Sequence, residues 1–181
     1  MLPCRLLFWF YFLSQWLMNI LNKPNFIILT NIDENITEGP TGAILLDLPS
    51  PYQPHPCGLL HLPRFLGKIQ KHIEGKLPAS YQRNFTKGFD GFLCLHLGLD
   101  PADIIECVKE CATKTQLDEK LLRLFPKDLN VHIWNRKVVQ MGMSDMALDK
   151  LEEIKTDLGA GGREDLRSFA DVIDFDEGKL K

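Results

Sequence analysis

Residues 62–78 read LPRFLGKIQKHIEGKLP, and their spacing decides the fold class. Leu62, Phe65, Leu66, Ile69, Ile73 and Leu77 recur every three or four residues, which gathers them on one face of a helix. Arg64, Lys68 and Lys71 fall on the other side. Pro63 suits the first turn, where a missing N–H costs nothing, and Gly75 with Pro78 ends the run.

The same pattern continues downstream. Residues 81–87 read as a short helix, followed by a turn at Gly88-Phe89-Asp90-Gly91. Residues 92–99 are an apolar run that fits either a strand or a buried helix. Asp100-Pro101-Ala102-Asp103 starts a helix: Asp100 can cap it, Pro101 fits its first position, and Asp103 meets the positive end of its dipole. Ile104, Ile105, Val108 and Cys111 form its apolar face. Thr115 reads as the cap of the next, which carries Leu117, Leu121, Leu122 and Leu124 and stops at Pro126. Asp128 opens another, with Val131, Trp134, Val138 and Met141 spaced for burial. Ser144 caps a helix striped by Leu148, Leu151, Ile154 and Leu158, and a last helix runs from about Glu164 to Asp174. Each is too short to be stable alone, so they must pack on one another. The expectation is an all-α fold, a compact bundle of five or six short helices spanning residues 57–181. Gly159-Ala160-Gly161-Gly162 lacks the Lys-Ser/Thr and the preceding strand of a phosphate loop, and reads as a connection.

Upstream the composition changes. Pro49, Pro51, Pro54 and Pro56 crowd one octet, and proline fixes φ and removes a donor. Residues 25–56 are therefore expected to be an extended, Pro-rich arm, whose apolar runs 26–29 and 43–48 can lie on the domain as strands or as irregular chain. Residues 1–24 form an apolar leader. Residues 2–21 have about the length that crosses a bilayer, but Ser14, Gln15 and Asn19 interrupt them and Arg5 and Lys23 flank them symmetrically. They lack the small-residue cleavage site of a signal peptide. The leader reads first as an extension from a mis-assigned start, and second as a membrane anchor.

The whole chain has 181 residues, 45% hydrophobic and 25% charged, with a net charge of −3, ordinary values for a globular protein. The charge is unevenly spread. Between His61 and Lys87 lie Arg64, Lys68, Lys71, Lys76, Arg83 and Lys87 against Glu74 alone, whereas residues 145–178 hold 11 acids and 4 bases. Two halves of opposite sign can attract each other, and the acidic end (Asp171, Asp174, Asp176 and Glu177) is expected to dock on Arg64, Lys68 and Lys71. No basic stripe is interleaved with aromatics, which argues against nucleic acid as a partner. The five cysteines are odd in number and loosely spaced, which fits a reducing compartment.

Two constellations carry possible chemistry. His55, Cys57 and His61, with Cys94 and His96, are residue types zinc accepts, but no CxxC or HxxxH pair occurs and Pro54 and Pro56 hold the first group extended. We therefore expect no metal and no cofactor. The other is a polar group of His61, Arg64, Tyr81, Arg83, Asn84 and Asp90, with Trp134 and Asn135 contributed from another helix. A His–Asp pair suits acid–base work, and Arg64 with Arg83 suits an anion. The structural alternative is that Asp90 shapes its Gly-flanked turn, Tyr81 is half-buried and the arginines are solvated. Cys107 and Cys111, four apart, suit burial as small apolar groups.

From Gly58 to Gly178 the chain resembles an uncharacterised bacterial family, domain of unknown function 5069. The matching pieces are Leu60-His61-Leu62-Pro63-Arg64, Gly75-Lys76-Leu77-Pro78, Tyr81-Gln82-Arg83-Asn84-Phe85, Gly88-Phe89-Asp90-Gly91, Ile133-Trp134-Asn135 and Asp176-Glu177-Gly178. Their order and spacing agree, while any one alone is weak. The resemblance implies a small cytoplasmic bacterial domain and carries over no activity, cofactor or catalytic residue. Two functions stay open: a binding or interaction module for an anionic ligand or protein partner, and a small enzyme acting on an anionic metabolite through a His61/Asp90 acid–base pair. Membrane tethering depends wholly on residues 2–21.

Overall fold

A computed structural model describes residues 35–180. The leader and the apolar run 26–29 lie outside the described residues. The described residues form one compact unit.

The described chain opens with a hairpin, β1 (Ile36–Gly39) and β2 (Gly42–Leu45), antiparallel with Ile36 opposite Leu45. This corrects a purely all-α reading. The first part of the expected arm turns back on itself at Pro40-Thr41, helped by Gly42 at φ 113°. Leu45 and Leu48 then bury against Leu77, with Tyr81 and Phe85 alongside. Ser80 Oγ donates to the Ala43 carbonyl (2.7 Å), and Tyr81 Oη accepts from the Leu45 N–H (3.1 Å). The proline octet forms no helix, and Pro54 pairs with Leu60 as an isolated bridge.

Eight helices follow among the described residues, not five or six: α1 (Leu62–Ile73), α2 (Ala79–Gln82), α3 (Phe89–Leu97), α4 (Pro101–Glu110), α5 (Lys114–Leu124), α6 (Val131–Gln140), α7 (Asp145–Asp157) and α8 (Phe169–Asp176). The short helix expected at residues 81–87 lies earlier, as α2 directly after Pro78, and the apolar run 92–99 is helical, in an α3 that begins at Phe89 inside the expected turn. α3 is buried on one side, where Leu93, Cys94 and Leu97 enter the core, and exposes Phe92 and Leu95 on the other.

Several boundaries differ, for local reasons. Asp100 caps α4 in a reciprocal box with Asp103, as expected. α5 is capped by Thr113, whose hydroxyl accepts from the Gln116 N–H, so Thr115 lies inside the first turn. Asn130 caps α6 in place of Asp128. α8 starts five residues late because Ser168 and Asp171 form a capping box there. Leu166 still buries, packing from the preceding loop against Leu151, Leu158, Ala160 and Val172.

The main core joins Leu62, Phe65 and Ile69 of α1 to Leu93 and Leu97 of α3, Ile104 and Val108 of α4, Leu121 of α5 and Trp134 and Val138 of α6. Each such side chain is worth roughly 1.5–3 kcal/mol when buried. Among the described residues no helix is long and apolar enough to cross a membrane.

Candidate functional site

The basic side of α1 is not solvated. Arg64 and Lys68 are buried beside the apolar stripe, and each is held by a carboxylate from a distant part of the chain.

The first cluster centres on Asp90, which is fully buried in the first turn of α3. Its two oxygens accept from Lys68 Nζ at 2.6 and 2.5 Å, one accepts from the Thr86 N–H (3.2 Å), and Oδ1 lies 2.8 Å from His61 Nε2. His61 precedes α1 with φ 66°, a left-handed backbone, and its N–H donates to the Pro51 carbonyl. Its ring lies against Phe89, 5.1 Å between centroids. Thr86 also has a left-handed backbone, at φ 61°. These two are the non-glycine residues at positive φ among those described, and both contact Asp90. Such conformations cost on the order of 1–3 kcal/mol and persist where the surroundings over-determine them. Gly91 is needed in the same turn, since a Cβ there would come within 3.0 Å of the Thr86 carbonyl.

The second cluster centres on Glu177, just past α8. It receives both terminal nitrogens of Arg64, Tyr81 Oη at 2.6 Å and Lys179 Nζ at 2.5 Å. Arg64 also donates to the Pro49 carbonyl (2.9 Å). Nearby, Ser50 donates to Asp174 (2.5 Å) and Thr41 to Asp176 (2.6 Å). The expected docking of the acidic end is therefore right for Arg64 and is corrected for the two lysines. Lys68 holds Asp90, and Lys71 holds Asp47 at 2.7 Å.

Of the other expected residues, Arg83 and Asn84 are exposed and outside both clusters. Trp134 and Asn135 serve a third arrangement. Trp134 Nε1 donates to the Leu60 carbonyl (2.8 Å), while Asn135 accepts from the Leu60 N–H (3.0 Å) and donates to the Gly58 carbonyl (2.9 Å). They pin the loop that carries His55 and Cys57. There His55 Nδ1 is 3.1 Å from Cys57 Sγ and Nε2 is 3.0 Å from Asp118 Oδ1. Among the described residues no group of three or more His, Cys, Asp or Glu can hold a metal. His61 faces Asp90, and Cys94 is in the core.

Lys68 and Asp118 went unread in the sequence as site residues. For Lys68 a signal existed: His61, Arg64 and Lys68 follow one another at three and four residues, alongside Leu62, Phe65 and Ile69, so they border the core face.

Electrostatics separates the roles. Burial drives the His61 pKa down to about 4, against the opposing pull of Asp90, so the ring is neutral at pH 7. Burial also works against the charge on Asp90, but Lys68 and the His61 hydrogen bond outweigh it and hold this carboxyl below its usual range. Asp90 is thus the ion, Lys68 its counter-ion, and His61 a neutral donor through Nε2–H. That assigns the bare lone pair to Nδ1, which is buried and without a partner among the described residues. Glu177 is likewise held low, burial being outweighed by Arg64, Lys179 and Tyr81.

A pH dependence follows. The folded pKa of His61 is depressed from 6.5, so its contribution is present above pH 6.5 and is lost as pH falls toward about 4. The shift corresponds to roughly 3 kcal/mol. Asp174 and Asp176, whose pKa values burial raises, act in the opposite direction as pH falls. Urea unfolding between pH 7 and 4 should show the loss in wild type and a flatter profile in His61→Gln. Parallel profiles would refute the assignment.

The family described as a domain of unknown function, DUF5069, matches residues 50–179. The chain belongs to this family. The DUF5069 match begins at Ser50 and ends at Lys179, so it takes in His55, Cys57, His61, Arg64, Lys68, Asp90, Asp118 and Glu177, while the β-hairpin lies before it. No function is assigned to the family, and no curated protein matches the chain.

Proposed function

We propose that this DUF5069 domain binds a small molecule at His61 and uses the imidazole as a proton acceptor. The observation that carries the reading is the buried, unpartnered Nδ1 of a neutral histidine whose other nitrogen is tied to an ionised aspartate. A buried acceptor without a donor costs about 1–3 kcal/mol, and a bound N–H or O–H group would relieve that cost. The same group would share its proton with an imidazole oriented as a general base is, by a carboxylate behind it. Strain at His61 and Thr86 on either side of Asp90 supports the same centre. Because Arg64 and Lys68 already hold Glu177 and Asp90, the group asked for is a donor (amine, amide or hydroxyl).

A thermal-shift panel of amines, amides and polyols against the full chain tests this. A compound at ~100 times its dissociation constant adds ~2.7 kcal/mol, a rise of several degrees in a domain of this size. The rise should vanish in a folded His61→Gln variant. An undiminished rise in that variant, or none with any compound for cooperatively melting wild type, would refute the reading.

The second reading is an interaction module. It is favoured by Phe92 and Leu95, which are 51% and 77% exposed three residues apart on α3. A cytoplasmic, bacterial setting belongs with either reading. The cytoplasmic part is supported by the use of Cys94 and Cys107 as buried apolar groups, and the bacterial part rests on the family resemblance alone.

A further inference from the structure

We propose that Cys57, His55 and Asp118 form a second site, a nucleophilic thiol with its own base, which accepts an acyl group from a thioester or activated ester. The three side chains stand in the relation such chemistry requires. Sγ is 3.1 Å from His55 Nδ1, and Nε2 on the far side of the ring is 3.0 Å from the Asp118 carboxylate. The tautomer follows from the contacts. Asp118 takes the Nε2–H, and the Cys57 backbone N–H also points at Nδ1 (3.3 Å), so Nδ1 carries the lone pair that receives the thiol proton.

The loop holding this group is rigid beyond what a connection needs. The His55 N–H donates to the Leu59 carbonyl (2.9 Å) and the Gly58 N–H to the His55 carbonyl (2.7 Å). Gly58 has φ 91°, and a Cβ there would approach Val131 to 3.2 Å. Trp134 and Asn135 clamp the same loop from α6 with three hydrogen bonds. Precise placement of a reacting group on an otherwise irregular segment is what a site needs from its supports. Cys94 and Cys107 differ from Cys57, since both are buried in the core cluster. Cys57 is half-buried and packs at the edge of that core.

The chemistry is selective. Burial raises the pKa of the Cys57 thiol, despite the Leu59 backbone N–H that favours its thiolate. The sulfur therefore rests as the thiol and ionises as it attacks, which suits acyl transfer better than reactions of a standing thiolate. Sγ bonds to the acyl carbon as its proton passes to Nδ1. The carbonyl then re-forms, the thiolate or alkoxide is expelled, and it leaves with that proton. Water attacks the acyl-cysteine next, giving a proton to His55. The carboxylic acid departs, and Sγ recovers the proton.

The test treats the full chain with limiting p-nitrophenyl acetate, quenches in acid and maps the acetylated cysteines by mass spectrometry. Cys111 is the internal control, also half-buried and at the end of α4, with no histidine hydrogen-bonded to its sulfur among the described residues. General-base assistance should favour Cys57 over Cys111 by ~100-fold or more, a preference lost in denaturant. His55→Gln should bring the two rates together. Asp118→Asn should slow Cys57, with partial recovery in Asp118→Glu. Equal labelling of the two cysteines in folded wild type, which needs no variant to fold, would overturn the proposal. So would a preference that survives His55→Gln.

Discussion

Asp90→Ala should lower the unfolding free energy by about 3–5 kcal/mol, because it strands a buried cation. Lys68 is 7% exposed, and both oxygens of Asp90 hold its ammonium. Without them the charge keeps its desolvation penalty and loses its compensation, and the His61 Nε2–H and Thr86 N–H lose an acceptor too. Against a total of about 5–15 kcal/mol this is a large fraction, visible as a fall of about ten degrees in Tm. Urea unfolding measures it, with the m-value reporting whether the transition stays two-state. Lys68→Met in the Asp90→Ala background should restore much of the loss, since it removes the stranded charge rather than rebuilding the pair. A loss under about 1 kcal/mol would mean that Lys68 swings out to water, as the exposed partners Lys109 and Glu106 already sit.

What was legible in the sequence was local. The stripe from Leu62 to Ile73, the Asp100 cap with Pro101 and the Ser144 start are each written within one or two turns, and each has its helix. His61 and Asp90 were both named as polar candidates from the early cluster, and they meet at 2.8 Å, with Asp90 in the first turn of α3 rather than in the expected glycine-flanked turn. The misses involve partners far apart in the chain. Asp174 meets Ser50 across 124 residues and Asp118 meets His55 across 63, whereas the docking of Glu177 on Arg64, across 113, was legible in the opposite charge of the two segments. No periodicity encodes such pairings, and charge asymmetry names only the two segments: it reached Arg64 and Glu177, but it put Lys68 on the acidic end, whereas Lys68 holds Asp90. The hairpin escaped for a related reason: its four-residue strands are too short to show alternation, and they stand because Leu45 and Tyr81 hold them to the domain.

These long-range contacts share a direction. Thr41, Ser50 and Tyr52 of the N-terminal segment reach Asp176, Asp174 and Asp171 along α8. Asp171 caps the start of α8, but Asp174, Asp176 and Glu177 lie at its C-terminal end, where carboxylates oppose the dipole at about 0.3–1 kcal/mol each. The hydroxyls and Arg64 offset that cost by hydrogen-bonding them. Because polar bonds are directional where apolar contacts are not, they set the position of the segment along the helix.

The Arg64–Glu177 pair lets that role be separated from stability. Glu177→Ala should cost about 3–5 kcal/mol, leaving the guanidinium buried with only the Pro49 carbonyl as acceptor. The double variant Arg64→Met, Glu177→Leu should be far milder, within about 1–2 kcal/mol of wild type, because apolar groups of similar size remove both desolvation penalties. A double-mutant cycle in urea gives the coupling directly. If stability were the whole account, the double variant would resemble wild type in every other respect. We expect a difference at Leu45, whose N–H donates to Tyr81 Oη, the hydroxyl that in turn donates to Glu177. Without Glu177 that hydroxyl is not oriented, so amide exchange at Leu45 should quicken in a double variant of near-native stability. Unchanged exchange there would assign the pair no part in seating the hairpin, and a single-variant loss below about 1 kcal/mol would mean that Arg64 finds water once Glu177 is gone.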